Sequence, residues 1–415
     1  MNAKLMFRSK SALTLLASLL LTLLAAQSGS AAGQQAVVLN NGGSVIQVGD
    51  TVYFLHWDDP SSYYSTAIMR MDTLEGKPEL LIDAKCGEIH FLDGHLIWDG
   101  AYSYDISTGH KRQISNGDVC FVDEDSNRVF VEVSFFDDPS NPGIFSMDVD
   151  GDNESCIAPG ICYYLGKDED TFNFYRQIRS GSTIYAVGYC GENLHEVTSD
   201  DSVYPTYFEE SMRMPPEIFD FSVSDDRLIY SMGNLQGSMG NFDGHWVSVT
   251  KDGKDKRTFD GLENYSFQLL DGWIYSNMFD GYSPSRVWIQ SMRSDFSSAE
   301  VLLEDASLHY VIGRRDLMIC SIEPMGSTPD LIAFGYESKT MTLLVDGSEY
   351  WPGIQEYDSG CYQVEVVGDW VYFYTSVWGY RGNRGWRNEL ISREFHRIRL
   401  DGTGLQTFSR YRSGV

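Results

Sequence analysis

Short segments rich in aliphatic and aromatic residues recur along the chain, and turns containing Gly and Asp separate them. The clearest set lies near the end, where Gly368-Asp369 precedes segment 370–374, which reads WVYFY. Segment 396–400 alternates apolar with basic residues, and Asp401-Gly402 then turns the chain into segment 405–408. Short runs of this kind, bounded by such turns, are typical of β-strands. No window after residue 33 shows helical periodicity with capping signals, so the pattern predicts an all-β protein.

Eight of these segments align as the second strand of a repeated unit. Their first residues, which lie 33 to 55 residues apart, are Thr51, His95, Arg128, Thr183, Arg227, Trp273, Leu317 and Trp370. A shorter strand precedes each one and two more follow, and four strands at this spacing are typical of a propeller blade. We therefore predict a β-propeller of eight four-stranded blades in residues 33–415, with seven blades as the alternative. Segment 36–39 could pair with the last blade and close the ring.

The repeats also share an Ile-Tyr or Val-Tyr pair and a turn of the Leu-Asp-Gly type. The pairs are Ile184-Tyr185, Ile229-Tyr230, Ile274-Tyr275 and Val371-Tyr372, and the fullest turn is Leu400-Asp401-Gly402. These motifs resemble the YWTD propellers of low-density-lipoprotein-receptor type. They are more similar still to a bacterial exported β-propeller family known as domain of unknown function 5050. The resemblance implies a propeller that contacts a protein or a glycan, and it supplies no catalytic residues.

Residues 1–32 have the features of a signal peptide. Three basic residues precede an apolar run at 12–26, which is short for a membrane span, and small residues follow up to Ala32. We expect cleavage after Ala32, so that the mature chain is secreted or associated with the cell envelope and has no membrane span. An uncleaved anchor is the alternative interpretation.

The chain is strongly acidic, with a formal charge of −28, and cleavage would remove three basic residues and no acid, giving −31. Such a charge repels phosphates, which excludes binding of nucleic acid through the bulk field. Solubility outside the cell would explain the charge, and so would affinity for cations or cationic ligands. We expect a monomer.

Propeller geometry predicts where a site would lie. The second-to-third connections of all blades share one face with the blade-to-blade connections, and we call this the long-loop face. The sequence predicts long irregular loops there, among them 233–245 and 376–394, whereas tight Asp-Gly turns lie on the opposite face. Loops on a rigid scaffold often carry function.

Two of these loops share the string Asp-Asp-Pro-Ser. One interpretation is an inherited turn, in which Pro fixes φ and Asp accepts hydrogen bonds from backbone amides. The other places Asp58, Asp59, Asp137 and Asp138, with Asp243 and Asp280, around one rim, where carboxylates could hold Ca²⁺ or a basic ligand.

The last loop is the most unusual. Its candidate ligand-binding residues alternate aromatic rings with guanidinium groups, and they are Trp378, Tyr380, Arg381, Arg384, Trp386 and Arg387. From residue 376 to the end the chain has eight Arg and three acids. Such a surface suits sugar rings, acidic glycans or an anionic peptide. The alternative is that the arginines pair with acids of neighbouring blades and the loop forms a plug.

The sequence contains no recognised catalytic motif: there is no GxSxG, HExxH or phosphate-binding glycine loop. We therefore predict no catalytic residues and a non-enzymatic binding module for a protein or carbohydrate. The alternative function is a carbohydrate-active hydrolase or lyase that uses rim carboxylates. No cofactor is predicted beyond the Ca²⁺ considered above.

Overall fold

The eight repeated units of four strands fold into eight antiparallel sheets, one of which gains a fifth, short strand, and these sheets form the blades of a β-propeller. This is a computed structural model, and it describes residues 37–57, 65–72, 76–178, 181–200, 204–205, 213–214, 217–224, 226–236, 241–260, 267–279, 287–311, 317–322, 330–347, 359–380 and 388–412. Val38–Val415 is one compact unit. The predicted fold class and the eight-blade count are confirmed.

In every blade the strands pair in chain order, and in blade 1 a short additional strand precedes the four strands of the repeat. Blades 1 to 4 consist of β1 (Val38–Leu39), β2 (Val45–Val48), β3 (Thr51–His56), β4 (Ala67–Met71) and β5 (Glu79–Asp83); β6 (Ile89–Leu92), β7 (His95–Trp98), β8 (Tyr102–Asp105) and β9 (His110–Gln113); β10 (Asp118–Asp123), β11 (Arg128–Val133), β12 (Gly143–Met147) and β13 (Ser155–Pro159); and β14 (Tyr163–Lys167), β15 (Thr171–Ile178), β16 (Gly181–Gly188) and β17 (His195–Asp200).

A two-stranded sheet of β18 (Tyr204–Pro205) and β19 (Arg213–Met214) follows blade 4. Blades 5 to 8 consist of β20 (Glu217–Val223), β21 (Arg227–Gln236), β22 (Asn241–Thr250) and β23 (Lys256–Asp260); β24 (Phe267–Leu270), β25 (Trp273–Phe279), β26 (Val287–Arg293) and β27 (Ala299–Glu304); β28 (Ala306–Val311), β29 (Leu317–Ile322), β30 (Asp330–Gly335) and β31 (Thr340–Val345); and β32 (Ser359–Val367), β33 (Trp370–Tyr380), β34 (Asn388–Arg399) and β35 (Gln406–Arg412).

The predicted second strand is correct in seven blades and wrong in blade 4. There the second strand is β15, which begins at Thr171, whereas the predicted start Thr183 lies in the third strand, β16. Asn173 interrupts the apolar run of β15, while the TIYAVG run of β16 is more aliphatic. Asn173 is nevertheless only 2% exposed. A buried polar residue therefore hid the correct strand from the hydrophobic pattern.

The prediction for segment 36–39 is also corrected. Val38 and Leu39 pair with Val48 and Gln47 of β2, the first strand of blade 1, and not with the last blade. Blade 8 is already complete with four strands of its own. The ring therefore closes by contact between blades 1 and 8 rather than by a shared sheet.

Glu365 of β32 forms the polar part of this closure. Its carboxylate accepts hydrogen bonds from the Asn40 side chain (2.5 Å), from the backbone amides of Ser44 (2.8 Å) and Val45 (3.1 Å), and from the Ser44 hydroxyl. The Tyr374 hydroxyl donates to the Leu55 carbonyl at 2.5 Å. Around these bonds, buried side chains of blades 1, 2 and 8 form one apolar cluster. The two ends of the propeller are thus joined by both packing and charge-assisted hydrogen bonds.

The Asp-Gly turns between third and fourth strands contact the preceding blade. Gly253 has φ +74°, and a Cβ there would lie 2.2 Å from the Val197 carbonyl oxygen of blade 4. Gly402 has φ +80°, and its Cβ would lie 2.7 Å from the Leu343 oxygen of blade 7. Glycine is required here by the backbone conformation and by the close approach. The repeat motif is therefore an inter-blade contact as well as a turn.

Candidate functional site

Two hairpins extend the long-loop face. In blade 5, β21 and β22 pair as far as Gln236 with Asn241, and in blade 8, β33 and β34 pair as far as Tyr380 with Asn388. The sequence predicted long irregular loops at 233–245 and 376–394, and this is wrong for most of both segments. Continued pairing satisfies backbone N–H and C=O groups whatever the side chains are. The Gly-rich and polar sequence therefore concealed these strands.

The hairpin of blade 8 rises from a well-packed base. Arg393 donates through Nε to the Ser376 hydroxyl at 3.2 Å, and its guanidinium lies 6.0 Å from the centre of the Tyr374 ring. Ser376 is fully buried. Burial raises the pKa of the Tyr374 hydroxyl well above its usual value, as expected for a phenol held between blades. The position of the hairpin is therefore fixed where it leaves the blade.

Two arginines of β34 lie over aromatic rings of blade 8. Arg397 is fully buried, and its guanidinium lies 4.2 Å from the Trp370 ring centre and 5.0 Å from that of Phe408. It also donates to Gln406 Oε1 at 2.7 Å and 3.0 Å. The guanidinium of Arg399 also lies over Trp370, 4.5 Å from the ring centre. These two arginines are held by aromatic rings of their own blade. The sequence analysis had predicted either ligand binding or pairing with acids of neighbouring blades.

The structure locates only part of the predicted ligand-binding set. Trp378 and Tyr380 occupy β33, opposite Leu390 and Asn388 of β34. Arg381, Arg384, Trp386 and Arg387 lie outside the described residues. Two of the six residues therefore lie in this hairpin, and the role of all six in binding stays a prediction.

The structure also describes only some of the aspartates that were predicted as metal ligands. Asp58 and Asp59 lie outside the described residues. Asp137 accepts from the backbone amide (3.1 Å) and hydroxyl (2.5 Å) of Ser134, and Asp138 accepts from those of Ser140 (2.9 Å and 2.6 Å). These are the bonds of a turn. Among the residues that the structure describes, no three His, Cys, Asp or Glu side chains are grouped so as to hold a metal ion.

Half-buried carboxylates lie where the inner strands of blades 2 to 4 meet the long-loop face. Asp99 accepts from the Gly87 amide at 2.6 Å, and Glu132 accepts from the Tyr164 amide of blade 4 at 2.7 Å. Burial raises the pKa of both carboxyls, and Asp118 adds to each shift by repulsion. Carboxyls perturbed in this way are more frequent at functional sites than elsewhere. The sequence analysis missed them, although the acid within the apolar run RVFVEV was a visible signal.

No protein-family model matches the chain, and no curated protein matches it. Similar solved structures include a prolyl endopeptidase (9% identity, 83% of this chain, 55% of that chain, TM-score 0.49) and an oligogalacturonate lyase in complex with manganese (10%, 83%, 95%, 0.44). TolB from Acinetobacter baumannii is another (10%, 76% of each chain, 0.33). This chain spans little more than half the length of the first. At these identities the similarity concerns the propeller fold alone.

Within the described part of the chain there is no helix of the length and hydrophobicity needed to cross a membrane.

Proposed function

We propose that the protein is an exported, non-enzymatic binding module, which recognises a protein or a carbohydrate through the long-loop face. The observation that carries this proposal is the hairpin of blade 8. Its strands, Trp370–Tyr380 and Asn388–Arg399, have 11 and 12 residues, the longest in the described chain. They support the segment that alternates Trp and Tyr with Arg.

The charge and ring pattern of the tip favours an acidic or sugar-containing ligand. Three arginines lie in the seven residues 381–387, with Trp386 among them and Trp378 and Tyr380 two residues apart just before. Because Arg397 and Arg399 are already engaged with Trp370, the arginines of segment 381–387 are our candidates for binding an incoming anion. Guanidinium groups bind carboxylates in a fork, and aromatic rings supply flat apolar contact.

The test is a glycan and polysaccharide binding array with and without Ca²⁺, on the wild type and on Trp378→Ala/Trp386→Ala. We expect binding to fall about tenfold or more in the variant, since loss of two ring contacts removes at least ~1.4 kcal/mol. Phe136→Ala is the matched control, because Phe136 is an aromatic residue 93% exposed in the second-to-third loop of blade 3. Equal losses in the two variants, or silence on every glycan, would contradict the carbohydrate form of the proposal and direct the search to protein partners.

The alternative function is a carbohydrate-active hydrolase or lyase, and the raised pKa of Asp99 and Glu132 is the observation that favours it. A general acid must carry a proton, and a raised pKa favours the protonated form of a carboxyl. The same array, followed by analysis of released oligosaccharides, distinguishes the two functions. Turnover that Glu132→Gln abolishes while binding persists would establish the alternative.

A further inference from the structure

A cavity of about 430 Å³ opens on the face opposite the long loops, which we call the tight-turn face. It lies between the first-to-second turns of blades 3 and 4 and the inner strand of blade 2. Six of its lining residues carry the argument below: His90, Phe121, Glu124, Asp125, Lys167 and Glu169. No predicted site residue belongs to it.

Carboxylates dominate the rim of this cavity, and several are already engaged. Asp123 accepts from the Ser126 amide at 3.0 Å, Glu124 accepts from the Asn41 side chain at 3.0 Å, and Asp168 pairs with Lys251. Asp125 and Glu169 are exposed, and their carboxylates have no hydrogen bond or ion pair with the described residues. Two carboxylates at the mouth are thus available to an incoming cation.

One ammonium group of the chain, that of the exposed Lys167, already lines the cavity. Lys167 Nζ donates to the Val122 carbonyl at 3.0 Å and lies 5.0 Å from the centre of the Phe121 ring. Phe121 is buried and stacks on Phe130, with 4.3 Å between ring centres. A backbone carbonyl and a fixed aromatic ring are a suitable environment for an alkylammonium group. The cavity therefore already accommodates one alkylammonium group, and the surrounding carboxylates must offset its repulsion of a second one.

His90 is a second feature that indicates a ligand, and it is independent of the carboxylates at the rim. It is only 5% exposed and lines the cavity, yet its imidazole makes no hydrogen bond with the described part of the chain. Its nearest acid is Glu88, whose Oε2 lies 4.0 Å from Nε2. Burial lowers the pKa of His90 to about 4, and Lys167 contributes to this shift. The imidazole is therefore neutral at pH 7 and offers a nitrogen acceptor to a ligand N–H.

We propose that this cavity binds a linear alkylammonium ligand with two or more amines, one group between Asp125 and Glu169 and another directed at His90. The ligand can be a free polyamine or the lysine side chains of a basic peptide. The site is on the other face from the proposed glycan or protein surface, so either proposal can fail alone.

Calorimetric titration of the protein with spermidine and, separately, with trilysine tests this proposal. We expect Asp125→Asn/Glu169→Gln to weaken binding tenfold or more, about 1.4 kcal/mol or greater. The matched control is Glu337→Gln/Asp369→Asn, which removes two exposed carboxylates from turns of blades 7 and 8 on the same face and should change affinity by less than about twofold. Binding of trilysine alone would identify lysine side chains as the source of the amines.

Equal losses in the two double variants would show that only the bulk acidic charge attracts the probes, and this result would overturn the proposal. So would the absence of binding by both probes at about 0.1 M salt. His90→Phe gives a second readout, because it changes no charge at pH 7. We expect this variant to bind spermidine more weakly while its thermal unfolding midpoint without ligand stays close to that of the wild type. Unchanged affinity for spermidine would exclude the His90 contact.

Discussion

The same residue types behave in opposite ways in two regions of the propeller. On the tight-turn face, aspartates of the third-to-fourth turns have a lowered pKa, and these are Asp105, Asp148, Asp252, Asp255 and Asp401. Asp401, for example, accepts from the amide and hydroxyl of Thr403 at 2.9 Å and 2.6 Å. At the inner edge of the long-loop face, burial raises the pKa of Asp99 and Glu132. Hydrogen bonds to the ionised form dominate in the first region and desolvation dominates in the second.

The direction of the pKa shift therefore distinguishes carboxylates that hold turns together from carboxylates that could take part in binding or catalysis. The turn aspartates belong to the visible repeat motif, and their oxygens are used by the turn or by an adjacent Arg or Lys. The inner carboxylates are outside the motif and face a partly desolvated environment. A motif that recurs in many blades is thus evidence about how blades are built, whereas a departure from the pattern in one blade is the better indication of a site.

The largest effect is expected at a third carboxylate, that of Glu365, where blades 1 and 8 meet. Glu365→Ala removes a carboxylate that serves three residues of the entry to blade 1. We expect the free energy of unfolding to fall by about 2 to 4 kcal/mol, because hydrogen bonds to a charged acceptor are lost and buried donors are left unpaired. Urea unfolding followed by circular dichroism measures this. Glu365→Gln, which keeps one acceptor, should lose less, and equal stability of Glu365→Ala and wild type would refute closure by this contact.

A somewhat smaller effect is expected on the tight-turn face, at Gly253. Gly253→Ala combines a left-handed backbone with a Cβ 2.2 Å from the Val197 oxygen. Gly94→Ala is the matched control, because Gly94 has φ +78° but nothing within 4 Å of the added atom. The control should cost about 1 kcal/mol for the left-handed conformation, and Gly253→Ala should cost a further ~1 to 2 kcal/mol for the clash. Equal costs would mean that the turn does not lock the blades together.

The smallest effect is a pH dependence that contrasts the two regions. The folded-state pKa of Asp99 and Glu132 is raised, so their contribution to stability is present at low pH and is lost as pH rises through that folded value. The turn aspartates have the opposite sign: their contribution is present at neutral pH and is lost as pH falls through their lowered values. Acidification from about pH 7 towards about pH 4.5, just above the ordinary pKa of a carboxyl group, should therefore stabilise the wild type through the inner pair.

The measurement is the free energy of unfolding against pH for the wild type and for Asp99→Asn/Glu132→Gln. The double variant should show a smaller gain on acidification. Asp252→Asn/Asp401→Asn is the control, since it removes the same charge from the turns and should leave the slope between those pH values unchanged. If both double variants flatten the curve equally, the cause is the net negative charge and not burial of the inner carboxyls.

Local pattern was sufficient where each strand buries a regular hydrophobic face. The strands at Thr51, Trp273 and Trp370 were predicted at their observed starts, since alternating apolar residues and tight turns are encoded within a few positions. The pattern was insufficient in blade 4, where Asn173 occupies a buried position. It was also insufficient at 233–245 and 376–394, where strand pairing continues without an apolar signal.

The sequence by itself determined the all-β class, the repeated four-stranded blade and the turn aspartates, and it favoured eight blades over seven, because these features depend on contacts within about 50 residues along the chain. Tertiary structure alone decided the closure of the ring through Glu365, whose partners lie more than 300 residues away in the chain. It also decided the burial of Arg397 against Trp370 and Phe408, the raised pKa of Glu132, and the meeting of His90 with Lys167 around one cavity. Desolvation and distant pairing depend on which blades become neighbours, and no local pattern of residues contains that information.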